Sequence, residues 1–251
     1  MSGLAAGRIV LVTGGAGGIG RAAAVQFSAA GAAHVIVADL DLAGAEATVD
    51  ALHGAGTALR LDVADDQAVG HALDALVAEH GRIDAAFNNA GVNDDMAAFH
   101  DLSPQRWDRM IAVNLSSVFY CMRHELRHMA EAGSGSIVNT SSGAGIVAAP
   151  GLPHYTAAKH GVIGLTKAAA QEYANQQIRV NAVLPGTTDT PMIRRFMDAN
   201  PEIAGFIAKS NISGELIDPD DIASVVVWLA SPAARMVNGQ SVIVDGGGIV
   251  R

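Results

Sequence analysis

The sequence predicts a single-domain α/β fold, a doubly wound parallel sheet of Rossmann type with helices on both faces. Three observations predict it. Short β-branched apolar runs alternate with longer Ala/Leu-rich segments along the chain, as strands joined by crossover helices do. The early runs are almost continuously apolar, the pattern of strands covered on both faces. The first run leads into a glycine-rich turn and then a helical segment.

Residues 8–13 (Arg-Ile-Val-Leu-Val-Thr) form the first expected strand. Five glycines within residues 14–20 follow, then a helix over 21–30 closed by Gly31. A strand over 34–39 precedes a helix over 42–53 that stops at Gly54. A short strand at 59–63, a helix at 65–80 and a strand at 83–88 complete the first half. The second half has a long helix at 103–131, a strand at 136–141, a helix at 155–175 and a strand at 178–184. A helix at 218–230 carries Pro219 in its first turn, and a last strand at 241–244 runs into Asp245 and three glycines. No linker or composition break divides residues 1–251. The stretch 187–215 fits least well, with Pro191, Pro201, Gly205 and a short amphipathic piece at 192–197. Such an insertion reads as a substrate lid or as an ordinary surface excursion.

Composition narrows the function. The 251 residues carry 16 basic and 25 acidic side chains, a net charge of −9, and half are hydrophobic. That length supports one large core, and the composition is not that of a disordered chain. Nucleic acid is a poor partner for a chain without a basic stripe. The lone Cys121 allows no internal disulfide, no basic-then-apolar leader opens the sequence, and no run is long enough to span a membrane. The expectation is a soluble cytoplasmic protein.

The turn at 13–20 sits where a strand ends and a helix begins. Glycines there keep the turn tight and let the backbone approach a pyrophosphate, while the helix N-terminus offers unpaired N–H groups. Asp39, 19 residues past Gly20 at the next strand end, stands where a carboxylate accepts the hydroxyls of a ribose; the alternative is a cap for the following helix. Tyr155 and Lys159 are i and i+4 on one helical face. A phenol is a poor base at neutral pH until a neighbouring ammonium favours its phenolate. Ser142, at a strand end 13 residues earlier, suits a donor to a substrate carbonyl oxygen, with Ser141 the alternative occupant. His154 beside Tyr155 is a substrate-contact candidate or a structural residue. His124 and His128 have metal-like spacing but no completing ligands, so no metal is expected. Arg194 and Arg195 either meet an anionic substrate or lie exposed.

These motifs resemble, in order and spacing, those of the short-chain dehydrogenase/reductase family. The resemblance covers nearly the whole chain. It rests on Gly14, Gly18 and Gly20 in the loop, Asp62-Val63, Asn88-Asn89-Ala90-Gly91, Asn114, Ser142, Tyr155 and Lys159, Pro185-Gly186 and Asp245-Gly246-Gly247. It implies that Ile19 joins the loop in holding the cofactor and that Asp62 and Val63 meet the adenine. Asn89 and Ala90 line the ribose, and Thr188 with Thr190 meets the nicotinamide carboxamide. It further implies that Lys159 grips the nicotinamide ribose and that Asn114 holds a water linking Lys159 to solvent.

The expected activity is NAD-dependent hydride transfer between a secondary alcohol and its ketone, with Tyr155 as acid and base. Leu40, where a phosphate-binding variant carries Arg, favours NAD over NADP. The lid residues Met192, Phe196, Met197, Phe206 and Ile207 suggest a partly apolar pocket for a small cyclic or aliphatic alcohol. Two alternatives are a 3-oxoacyl-carrier-protein reductase and a non-catalytic dinucleotide-binding regulator. Helices apolar on more than one face (Val113, Leu115, Val118, Phe119; Ile163, Leu165), together with the resemblance, imply a homotetramer.

Overall fold

The computed structural model describes residues 3–208, 211 and 214–250. Strands β1 (Ile9–Thr13), β2 (His34–Asp39), β3 (Gly56–Arg60), β4 (Ala85–Asn88), β5 (Gly135–Thr140), β6 (Ile178–Pro185) and β7 (Ser241–Val244) form one sheet in the order β3-β2-β1-β4-β5-β6-β7. Every pairing is parallel. The crossovers hold α1 (Gly18–Ala29), α2 (Leu42–Val49), α3 (Asp66–His80), α4 (Pro104–Ile111), α5 (Ser117–Ala132), α6 (Pro153–Glu172), α7 (Pro191–Ala199), α8 (Pro201–Ala208) and α9 (Pro219–Ala230). Strand order reverses between β1 and β4, and the crevice beyond their C-terminal ends is where such sheets bind ligands.

Alternation along each strand feeds two cores. Ile9 and Leu11 of β1 join Ile36, Ile137 and the helices α3, α5 and α6 on one face. Val10 and Val12 join Val35, Val37 and the helices α1 and α9 on the other. Both faces are covered, which is why the strands read as unbroken apolar runs. Helix starts follow local chemistry: Asp41, Asp65, Ser103 and Asp218 each accept a backbone N–H from the first turn of α2, α3, α4 and α9.

Several segments differ from the sequence expectation, among them α2, which ends at Val49 rather than at 53, and α6, which runs over Pro153–Glu172 rather than 155–175. Strand β3 begins three residues earlier and ends at Arg60, because this edge strand pairs with β2 alone and is half exposed. The long helix expected at 103–131 is two helices separated by a π-helical turn, Ala112–Ser116. The stretch 187–215 holds α7 and α8; its residues 209–210 and 212–213 lie outside the described ones. His124 and His128 each pair with an aspartate of α3, Asp66 at 3.0 Å and Asp74 at 2.9 Å. Among the described residues no group of three or more His, Cys, Asp or Glu is arranged to hold a metal, and no helix is long and apolar enough to cross a membrane.

A polar cluster sits inside the first core. Glu125 on α5 is fully buried, and Asn88 Nδ2 donates to its Oε2 at 2.9 Å and to Asn139 Oδ1 at 3.1 Å. Asn139 Nδ2 in turn donates to Thr166 Oγ1 of α6 at 3.0 Å. Glu125 Oε1 and Asn88 Oδ1 have no partner. Burial pushes the Glu125 carboxyl up to about 7 against the hydrogen bond from Asn88.

Candidate active site

The C-terminal ends of β1, β4, β5 and β6 open into one cleft of about 1040 Å³, at the upper end of the roughly 300–1,000 Å³ usual for ligand pockets. Gly14, at the mouth of β1, has φ +65°, and a Cβ there would stand 2.8 Å from the Ala90 backbone. A side chain is therefore excluded by both conformation and space. Thr13 Oγ1 clamps the neighbouring loop by accepting from Asn89 N at 3.0 Å and Ala90 N at 3.2 Å. Gly17, the N-cap of α1, supplies no side-chain cap, so the N–H groups of the helix start lie at the cleft beside Gly18 and Ile19 with no side chain capping them. Such donors suit a pyrophosphate.

Asp39 ends β2 at the cleft wall. Its Oδ2 accepts from Ala16 N at 2.9 Å and its Oδ1 from Asp41 N at 3.0 Å, which fixes the carboxylate against the glycine loop. The cap of α2 is Asp41, so the capping alternative for Asp39 is excluded. The fixed carboxylate, uncapped helix start and glycine-rich loop fit a dinucleotide.

At the other end, Ser142 follows β5 and caps a short 3-10 turn, Gly143–Gly145, through Ala144 N at 3.1 Å. Tyr155 and Lys159 lie on the first two turns of α6, and the Lys159 Nζ is 5.6 Å from the centre of the Tyr155 ring. Lys159 is buried and donates to Thr140 O at 2.9 Å. Burial lowers the Lys159 ammonium to about 8 and raises the Tyr155 phenol, while a hydrogen bond with Ser142 pulls the phenol back down. The lysine alone therefore does not bring the phenol down to neutral pH, contrary to the simple expectation from i,i+4 spacing. Asn114 lies in the π-helical turn, where its Nδ2 donates to Val92 O at 3.0 Å and its Oδ1 accepts from Val92 N at 3.2 Å.

Asn89, Ala90, Thr188, Thr190, Met192 and Phe196 also line the cleft, as does Arg195. Other expected residues stand elsewhere. Gly20 packs behind the loop, where a Cβ would meet Gly14 O at 2.0 Å. Leu40 points outward, 60% exposed. Asp62 and Val63 lie outside the cleft: Asp62 is exposed with its Oδ1 accepting from Ala64 N at 2.9 Å, and Val63 is core. His154 is not a cleft residue either, because it is fully buried and bonded to Asp94 at 2.9 Å. Arg194 is committed to Asp189 through two bonds of 2.7 Å. The reading of the sequence missed Thr13, Asp94 and Glu125, which act through contacts distant in the chain.

A family model described as enoyl-(acyl carrier protein) reductase matches residues 14–248. The chain belongs to the short-chain dehydrogenase/reductase family. Within it, the chain is 39% identical to cyclohexanol dehydrogenase of Acinetobacter sp. (strain SE19), over 95% of this chain and 94% of that one. It is 40% identical to cis-4-hydroxycyclohexanecarboxylate dehydrogenase of Sinomonas cyclohexanicum, over 96% of each. Among solved short-chain dehydrogenase/reductase structures, carveol dehydrogenase from Mycobacterium avium in complex with NAD superposes with a TM-score of 0.92 at 34% identity, covering 100% of both chains.

Proposed function

We propose that this chain is an NAD-dependent dehydrogenase of a secondary ring alcohol, with Tyr155 as general acid and base. One observation carries the reading: Ser142, Tyr155 and Lys159 line the same cleft as the glycine loop and Asp39. The relatives named for cyclohexanol and cis-4-hydroxycyclohexanecarboxylate favour a ring substrate. The apolar wall of Val147, Leu152, Met192 and Phe196 suits it, with α7 and α8 as its lid.

A nicotinamide bound at this end supplies the hydride acceptor or donor. Tyr155 Oη takes the hydroxyl proton in oxidation and returns it in reduction. Ser142 holds the same substrate oxygen and, by its bond to Tyr155, favours the phenolate. Lys159 spends one hydrogen on Thr140 O and keeps two for ribose hydroxyls. Asn114, locked to both sides of the Val92 backbone, holds the water through which Lys159 exchanges protons with solvent. Asp39 accepts from the adenosine ribose and repels a 2′-phosphate, and no cation on the glycine loop lines the cleft to offset it. Trp107 and Phe119, 40% and 48% exposed on α4 and α5, support a homotetramer built through those helices; a monomer mass in sedimentation refutes that part.

A panel of cyclic and linear secondary alcohols, followed by nicotinamide absorbance with NAD and with NADP, tests the activity. Turnover of a ring alcohol with NAD is expected. Cofactor binding without turnover of any alcohol or ketone would favour the regulator, and turnover confined to carrier-bound 3-oxoacyl groups would favour the reductase.

A further inference from the structure

Helix α6 carries Tyr155 in its first turn. Its N-cap, Leu152, makes no side-chain capping bond. Two contacts on either side of Tyr155, one local and one across the fold, hold the turn instead. Thr156 Oγ1 accepts from Ala149 N at 3.1 Å. His154 Nε2 lies 2.9 Å from Asp94 Oδ2, with the imidazole fully buried.

Asp94 is itself braced. Arg106 of α4 donates to the same Oδ2 at 2.8 Å and also reaches Asp95 O, while Asp94 Oδ1 accepts from Asp95 N at 2.9 Å. The carboxylate is held ionised at about 2, since the bonds from Arg106 and His154 outweigh the effect of burial. An ionised carboxylate only accepts, so Nε2 of His154 carries the hydrogen. His154 Nδ1 has no partner, which leaves the Asp94 bond as the imidazole's single polar contact.

We propose that Asp94 and His154 are a positioning pair for Tyr155, through which the loop after β4 and helix α4 set the phenol against Ser142. The proposal rests on Tyr155 being the acid and base, but its first readout does not need turnover. Breaking the pair lets the start of α6 drift, and the hydrogen bond from Ser142 that favours the phenolate weakens. The Tyr155 midpoint then rises. The charged groups facing His154 are Asp94 and, beyond it, Arg106 and Asp95, and they stay in place when His154 is replaced.

The test compares His154→Leu, His154→Gln and Asp94→Asn with the unmodified protein. Ligand-free protein is titrated in the near-ultraviolet phenolate band, with Tyr155→Phe subtracted to isolate this phenol. His154→Leu should raise the midpoint by about one pH unit, the scale of one lost hydrogen bond to the charged form. With cyclohexanol and NAD, it should lower kcat roughly ten- to hundredfold, as a misplaced catalytic group does. NAD affinity by tryptophan fluorescence should stay within about threefold, because the glycine loop and Asp39 are remote from the change. His154→Gln, whose amide nitrogen can replace Nε2 as donor, should recover most of both effects. If His154→Leu does not fold, Asp94→Asn carries the same expectation in weaker form. A native Tyr155 midpoint in the folded His154→Leu or Asp94→Asn protein overturns the proposal, as does equal impairment by Leu and Gln. Failure of the unmodified protein to oxidise any alcohol overturns the functional reading and leaves the titration result standing.

Discussion

Replacing Glu125 by Gln removes a buried carboxyl from the β4–β5–α5–α6 core with little change of shape. The Gln oxygen can accept the bond that Asn88 Nδ2 gives to Glu125 Oε2. In the folded protein this carboxyl titrates near 7, against an ordinary value of 4.5. Below 4.5 both states hold the proton and the site contributes its full stability. As pH rises past 4.5 the unfolded chain releases the proton while the folded one keeps it, so folding becomes less favourable until the folded carboxyl also ionises near 7. At about 1.4 kcal/mol per pH unit, that window corresponds to about 3 kcal/mol of stability lost between acid and neutral pH. The glutamine variant has no such loss. Thermal unfolding of both proteins from pH 5 to pH 8 isolates the term as a difference: the variant should gain on the parent by roughly 6–12 °C at the alkaline end, at about 2–4 °C per kcal/mol. A melting-temperature difference independent of pH refutes the reasoning, because Glu125 would then titrate alike in both states.

Tyr155→Phe keeps the ring and removes the transferable proton, so kcat should fall about 10²–10⁴-fold with NAD affinity unchanged, measured by steady-state kinetics and fluorescence titration. The unmodified protein should prefer NAD to NADP by at least roughly tenfold in kcat/KM, since a lost charge-assisted bond costs about 1.5–3 kcal/mol. Asp39→Ala with Leu40→Arg should narrow or reverse that ratio in the same assay. Gly20→Ala sets a Cβ 2.0 Å from Gly14 O, a backbone atom with little room to move. About 1–3 kcal/mol of stability should be lost in urea unfolding, and NAD affinity should drop with it.

The sheet was legible because both of its faces are buried: β1 and β2 show five and four consecutive buried residues, and such runs announce themselves in sequence. Asp39, Ser142, Tyr155 and Lys159 were legible because each stands at a strand end or helical spacing that the chain writes locally. Strand β3 was misplaced because an edge strand with one partner needs no apolar continuity. The break at Ala112–Ser116 left no mark, since a π turn changes hydrogen-bond partners rather than residue types. His154 was visible as an oddity but not as a partner of Asp94, because the two are 60 positions apart and meet through tertiary packing alone.

The π-helical turn has a consequence for how this chain can vary in length. One residue more per turn amounts to about 100° of rotation about the helix axis, so α4 and α5 are phased differently from two halves of one regular helix. Trp107 and Phe119 reach the surface on faces set by that offset, and Asn114 meets Val92 because of it. Deleting any one of residues 112–116 would straighten the helix while swinging its two ends against each other by more than a quarter turn. These five residues act as a gear tooth: their number, not only their identity, sets the phase between α4 and α5.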